Sequence, residues 1–364
     1  MHDSRVAVVG AGAVGLTAAF DIAARDATVD VYDRDAPGRG STARAAGIAY
    51  DAYADDVDAS LAARSLERFR ALSGERGFRF AETPYLWFAT DPEDAAAVRE
   101  QADRMRERGR DVDVPAPADV RRRFPVMRAD DIEAAALARN AGVADPEAYA
   151  DLLAAKARAA GATVHADTPA SVALDPPRVN GERYDAVVVT AGAWTKRVLA
   201  DAGVTVPLGV YRAQALVANA PAVPIFYDAT AEYYARPHRE GVLAGDGVEA
   251  RAVDPDDYDE TADDAFRDGT RARLRERLVN ADVPVRRAWT GVCTATPDGR
   301  PLLGELADGL YVGAGWEGHG LMRAPAAGER LAEQVVGERD GDPAFDPGRF
   351  DGDEPVALDG VPLS

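Results

Sequence analysis

Two glycine-patterned segments at opposite ends of the chain constrain it most. Near the start, the β-branched run Val6-Ala7-Val8-Val9 passes into Gly10-Ala11-Gly12-Ala13-Val14-Gly15 and then Leu16-Thr17-Ala18-Ala19-Phe20. A strand, a glycine turn and a helix start in that order predict the phosphate-binding turn of a doubly wound α/β fold. Gly10 permits the tight turn, Gly12 lets backbone approach a pyrophosphate, and Gly15 lets the helix pack close on the strand. The free N–H groups at the positive end of that helix would hold the pyrophosphate. A second strand, Thr28-Val29-Asp30-Val31-Tyr32, ends at Asp33, placed to accept hydrogen bonds from ribose hydroxyls and to repel a 2′-phosphate. This half fits FAD and NAD alike.

The second segment runs from Leu310 to Met322. Leu310 to Val312 reads as a short apolar strand, Gly313 to Gly318 as a turn, and an alanine-rich helix is expected from near Gly320 through Glu333. Its N-terminus would aim unpaired N–H groups and partial positive charge at whatever lies above the turn. The small-residue loop from Gly38 to Ile48 fits backbone that must pass close to a flat ring.

These residues carry a family likeness. From Arg287-Ala288-Trp289-Thr290-Gly291 through Thr294-Ala295-Thr296-Pro297-Asp298-Gly299-Arg300-Pro301, then Gly318-His319-Gly320-Leu321-Met322 and Ala324-Pro325-Ala326-Ala327-Gly328, the chain resembles the D-amino acid oxidase superfamily of FAD enzymes. It looks most like the glycine oxidase, sarcosine oxidase β-subunit and amino acid dehydrogenase branches. Gly142-Val143-Ala144-Asp145-Pro146, Tyr184 to Trp194 and Tyr234-Ala235-Arg236-Pro237 match in the same order. The resemblance implies an α/β fold, a Rossmann-like FAD-binding domain of glutathione reductase type with an inserted α+β substrate domain on a mostly antiparallel sheet. It places 1–80, 141–205 and 286–364 in the first domain and 81–140 and 206–285 in the second.

The resemblance also implies FAD contacts from Gly10, Ala11, Gly12, Ala13, Val14, Gly15, Asp33 and Arg34. Further contacts follow from Ser41, Thr42, Arg44, Ala46 and Gly47, and from Ala191, Gly192 and Trp194. At the other end Gly315, Gly318, His319, Gly320, Leu321 and Met322 would face the N1 and C2 carbonyl edge of the flavin, where a helix dipole favours reduction. Some relatives tether FAD through a cysteine, but aligned on Thr294-Ala295-Thr296 that position is Gly291 and not Cys293, so non-covalent FAD is expected.

A chain of 364 residues exceeds what one core usually supports, so two closely packed domains are expected. No apolar run approaches the ~18 residues of a membrane span, and Met1 to Arg5 leads straight into the first strand, which leaves no room for a signal peptide. The expected location is cytoplasmic. Cys293 is the one cysteine, which excludes an internal disulfide and a cysteine metal cluster. A net charge of −20, with lysine only at Lys156 and Lys196, argues against nucleic acid and anionic membranes as partners. It fits a halophilic protein with an acidic surface, or a genome that favours Arg, Asp and Ala codons; the two can coexist.

The resemblance implies dehydrogenation of the C–N bond of a small amino acid or N-methyl amino acid, by hydride transfer to flavin N5, with O2 or an electron carrier as acceptor. No metal is required. Alternatives are a carrier-linked dehydrogenase of amino or 2-hydroxy acids, or a flavin-bound non-catalytic subunit in a homo- or hetero-oligomer. The carboxylate anchors of two relatives fall on Cys293 and Met322, so the anchor must lie elsewhere. Arg236 with Tyr234 on one strand face, and Arg323 beside the flavin turn, are the candidates, with Arg44 and Arg212 behind them. His319 is expected to pack or hydrogen-bond at the flavin edge, and Trp289 and Trp316 to wall the pocket. The tail after Asp340 is expected on the surface.

Overall fold

The computed structural model describes residues 4–358. Val6, Val8, Val187, Val188 and Val189 are wholly buried, as a parallel strand covered on both faces requires. They sit in a six-stranded sheet ordered Leu302–Ala307, Leu310–Ala314, Ala186–Val189, Arg5–Val9, Thr28–Tyr32 and Thr163–His165. Every pairing in it is parallel except that of Leu302–Ala307. The helix Ala13–Ala23 follows the first strand and buries all but one of its residues. The C-terminal helix Gly320–Val335 crosses it where a Cβ on Gly328 would stand 2.5 Å from Thr17 Cβ. Only glycine allows that approach. Pro325 interrupts the same helix, and Ser65 Oγ takes up backbone on either side, donating to the Arg323 carbonyl and accepting from Ala326 N–H, each at 3.2 Å.

The second large sheet has eight strands, ordered Val285–Ala295, Gly209–Ala218, Gly241–Ala252, Tyr233–His238, Ile225–Asp228, Tyr85–Ala89, Ala134–Ala138 and Val112–Asp113. It is antiparallel apart from the pairing of Ile225–Asp228 with Tyr85–Ala89. Strand alternation divides its faces. Leu86, Phe88, Leu216, Phe226 and Tyr233 pack under the helix Asp264–Arg277, while Tyr85, Trp87, Tyr227 and Tyr234 face the other way. Ile48–Tyr50, Ala141–Ala144 and Phe80–Glu82 form a small sheet of their own.

Several sequence expectations change. The helix Asp56–Leu72 starts where the Asp55 carboxylate accepts from the N–H groups of Val57 and Asp58. Gly74, at φ 100°, ends the segment before Arg76. Val285–Ala295 pairs along Gly209–Ala218, so the expected boundary at 286 cuts through the eight-stranded sheet. The tail is not wholly superficial: Phe345 is fully buried and its carbonyl accepts from Leu303 N–H at 2.9 Å. Tyr234 and Arg236 share a strand face as expected, and Glu232 precedes that strand at φ 50°.

Candidate cofactor and active site

A cleft of about 870 Å³ opens between the two large sheets. Its floor is the carboxyl ends of the parallel strands, where ligands of open α/β sheets bind. At the glycine turn, a Cβ on Gly10 would meet the Thr190 carbonyl at 2.5 Å and one on Gly15 the Gly10 carbonyl at 2.0 Å. A Cβ on Gly12 would meet nothing nearer than Thr42 Oγ1 at 3.4 Å. Gly10 and Gly15 are therefore glycine for the fold, whereas Gly12 leaves space above it. Gly12 has no side chain to cap the helix; Thr42 Oγ1 accepts from Ala13 N–H at 3.0 Å, and Gly12 to Val14 line that space. This is a cradle for a pyrophosphate. Asp33 closes its far end, one oxygen accepting from Ala11 N–H at 2.6 Å and the other from Asp35 N–H at 2.9 Å.

Most of the expected FAD contacts meet here. Gly10, Ala11, Gly12, Ala13, Val14, Asp33 and Arg34 line the cleft, with Ser41, Thr42, Arg44, Ala46 and Gly47. So do Ala191, Gly192, Trp194, Gly318, His319, Gly320, Leu321 and Met322. Gly15 and Gly315 do not: Gly15 packs on its own turn and a Cβ on Gly315 would strike Thr296 at 2.3 Å. Ser41 Oγ donates to the Val292 carbonyl at 2.8 Å, and the Arg44 guanidinium turns to Tyr258, the Thr290 carbonyl and Glu260.

The candidate anchors separate. Arg323 is buried, pairs with Asp58 at 2.9 Å and lies 5.0 Å over the Tyr53 ring, behind the cleft wall. It ties two helices together and does not line the cleft. Arg212 is held by Glu249 and Asp263. Arg236 is different: it is 7% exposed, and its contacts are the carbonyls of Ala46 and Pro237, with no acid partner among the described residues. Burial pulls its guanidinium down to about 10. Like Arg323 it does not itself line the cleft, but it stands directly behind Tyr234 and Ala46, which do.

The wall opposite the flavin turn is made of tyrosines. Tyr50, Tyr85, Tyr227 and Tyr234 converge from four strands, with the Tyr50 and Tyr85 rings stacked at 4.6 Å. Burial raises the phenol of each, so all four are neutral donors at neutral pH. His319 stands edge-on to Tyr50 and Tyr53. Burial, helped by the Arg323 charge, lowers its imidazole to about 3, so it is neutral and suited to hydrogen bonding rather than to holding a proton. Trp316 lines the cleft but Trp289 does not; its Nε1 donates to the Arg44 carbonyl.

Several cleft residues carried no sequence signal. Tyr50, Tyr85 and Tyr227 are apolar-patterned strand positions, and only tertiary pairing shows that they share a wall. Glu317 occupies the flavin turn at φ 49°, accepts from Thr296 N–H at 2.7 Å, and is pushed by burial to about 7. Tyr211 presents a buried hydroxyl beside Cys293 on the cleft wall, and burial pushes the Cys293 thiol up to about 11.

A dinucleotide cradle, a second helix N-terminus and a closed aromatic wall define a flavin-dependent oxidoreductase with a small-molecule pocket. The chain belongs to the DAO family of FAD-dependent oxidoreductases, whose sequence pattern matches residues 5–334. It is 27% identical to a glycine oxidase of Pseudomonas aeruginosa over 95% of this chain and 98% of that one. Human mitochondrial sarcosine dehydrogenase is 24% identical over 92% of this chain and 40% of its own length. Among solved structures, L-proline dehydrogenase from P. horikoshii superposes with a TM-score of 0.84 at 26% identity, covering 96% of this chain and 98% of that one. Glycine oxidase from Geobacillus kaustophilus shares the fold, with a TM-score of 0.86 at 22% identity, covering 95% and 99%. The open space over Gly12, which a side chain would fill, fits the FAD this family uses. Among the described residues no helix is long and apolar enough to cross a membrane, and no cluster of His, Cys, Asp and Glu is arranged for a metal.

Proposed function

We propose that the chain dehydrogenates the C–N bond of a small amino acid or N-methyl amino acid. Bound FAD supplies the hydride acceptor. The observation that carries the reading is Arg236, a buried guanidinium without a counter-ion set behind a tyrosine wall that faces the flavin turn. A substrate carboxylate held by the Tyr234 hydroxyl, which lines the cleft, would lie in the field of that charge and offset it. The buried aromatic walls disfavour an ammonium and so select the uncharged amine, whose lone pair assists departure of the hydride. Neutral His319 and the N-terminus of Gly320–Val335 present donors and partial positive charge where the acceptor gains electron density.

Within this proposal, the six-stranded sheet with residues 1–80, 141–205 and the chain after 296 binds FAD, and the eight-stranded sheet with 81–140 and 206–295 binds substrate. The raised Cys293 thiol supports non-covalent FAD, released completely on denaturation. The charge of −20 supports a salt-adapted cytoplasmic protein with an acidic surface. The test is anaerobic bleaching of the flavin in high salt by glycine, sarcosine, proline, D- and L-amino acids and 2-hydroxy acids. Bleaching by amino acids is expected, and admission of air then separates oxidase from dehydrogenase. Bleaching by 2-hydroxy acids alone overturns the amine reading.

A further inference from the structure

The connection between Gly241–Ala252 and Asp264–Arg277 leaves the substrate-side sheet and reaches the ribose end of the cleft. There Asp256 accepts from Arg34 Nη1 at 2.8 Å, from Trp194 Nε1 at 2.7 Å and from Arg197 Nη1. Asp254 pairs with Arg197 Nη2 at 2.6 Å, and the Arg34 guanidinium lies 3.9 Å over the Trp194 ring. Four residues on, the hydroxyl of Tyr258 accepts from Arg44 at 2.5 Å and Glu260 pairs with the same arginine at 2.9 Å. Arg34, Arg44, Trp194 and Arg197 all line the cleft, whereas their four partners stand outside it. The segment is itself braced: Asp256 N–H donates to the Asp254 carboxylate at 2.8 Å, and Thr290 Oγ1 to the Asp259 carbonyl at 2.6 Å.

We propose that residues 253–263 form a strap that holds the rim of the cleft closed over the dinucleotide, and that Asp256 is its positioning residue, setting how fast FAD leaves. One carboxylate gathers three donors from two separate segments, Arg34 after the second strand and Trp194 and Arg197 after the strand Ala186–Val189. FAD leaving from this end must part those segments, and the strap opposes that without touching the cofactor. Exposed ion pairs are individually weak and screened by salt. The strap therefore slows release most in dilute salt and loosens as ions are added. The inference rests on FAD occupying the cleft and is independent of which amine is oxidised.

The test uses the holoenzyme, diluted, with release followed by the fluorescence of free FAD. At about 0.1 M KCl, where screening acts over about 10 Å, Asp256→Ala should release FAD about tenfold faster than wild type, equivalent to about 1.4 kcal/mol. At about 1 M, where it acts over about 3 Å, the ratio should fall toward one. Asp256→Glu should recover most of the wild-type rate, and Asp268→Ala, an exposed acid on the neighbouring helix, should match wild type. An unchanged release rate for Asp256→Ala, or an equal increase for Asp268→Ala, overturns the strap. If Asp256→Ala does not fold, Glu260→Gln removes the charge opposite Arg44 at the same rim and should show the same salt-sensitive acceleration; no acceleration there overturns it as well.

Discussion

Replacing Arg323 by methionine separates a structural arginine from a substrate-binding one. Arg323 is 4% exposed and sits 2.9 Å from the half of Asp58 that faces it. Removing one member of such a pair strands the other and typically costs about 3–5 kcal/mol. Arg323 Nε and Asp58 Oδ1 have no aligned hydrogen bond, which places the loss at the lower end, about 3 kcal/mol. With an unfolding entropy of about 2.1 cal/mol/K per residue, a chain of 364 residues loses about 4 °C in Tm. The loss depends on pH in a fixed direction. Burial already raises the Asp58 carboxyl and Arg323 opposes it. Without Arg323 the folded-state value rises further above the unfolded one, so the variant loses stability as pH climbs through that interval and recovers when Asp58 is protonated. Calorimetry of Arg323→Met between pH 4 and 8 should thus show the smallest deficit at the acid end, with KM for amino acid substrates close to wild type. A large rise in KM with Tm unchanged would refute the assignment and return Arg323 to the pocket.

Arg236→Met should do the reverse, keeping the flavin spectrum while lowering kcat/KM for carboxylate substrates by about 10- to 100-fold, the value of a charged hydrogen bond of about 1.5–3 kcal/mol; equal kinetics would move the anchor elsewhere. Gly12→Val should fold but purify without FAD, because a Cβ there meets only Thr42 at 3.4 Å yet fills the pyrophosphate space; stoichiometric FAD in that variant contradicts the cradle. Gly15→Ala should instead cost stability, since its Cβ falls 2.0 Å from a backbone carbonyl, and a wild-type melting curve would argue against that packing. Glu317, held near 7 by burial, is neutral below that pH and charged above it, so the flavin absorbance should titrate with a midpoint near 7 in wild type and not in Glu317→Gln.

Local chemistry wrote much of the fold into the sequence. Asp91 and Asp145 each cap a helix that opens with proline, and such caps act within four residues. The strand at Tyr85–Ala89 and the C-terminal strand and helix are likewise continuous signals. What escaped depends on partners far along the chain. Arg323 and Asp58 lie 265 residues apart, and nothing near either shows that they pair. Phe345 stands in an Asp- and Pro-rich tail that reads as solvent-loving, yet its ring finds a buried slot beside Arg330. The tyrosine wall is the same problem in four pieces, because a single strand reports only which residues share a face and not what stands opposite.

The pattern of charge pairing bears on the carboxylate of the proposed substrate, which amino acids and 2-hydroxy acids share. Of the other arginines the sequence offers as carboxylate anchors, Arg44 is paired with Glu260, Arg212 with Glu249 and Asp263, and Arg323 with Asp58. A chain with this surplus of acid, −20 overall, has acids to spare for every guanidinium. Arg236 is nevertheless buried with carbonyl partners alone, where a lone charge is costly. A position that forgoes an available counter-ion fits the proposal that a substrate carboxylate supplies one. The strap supplies the contrast: at the ribose end, Arg34 and Arg197 are matched by Asp254 and Asp256, so that end of the cleft holds its own charges in balance and the Arg236 end does not.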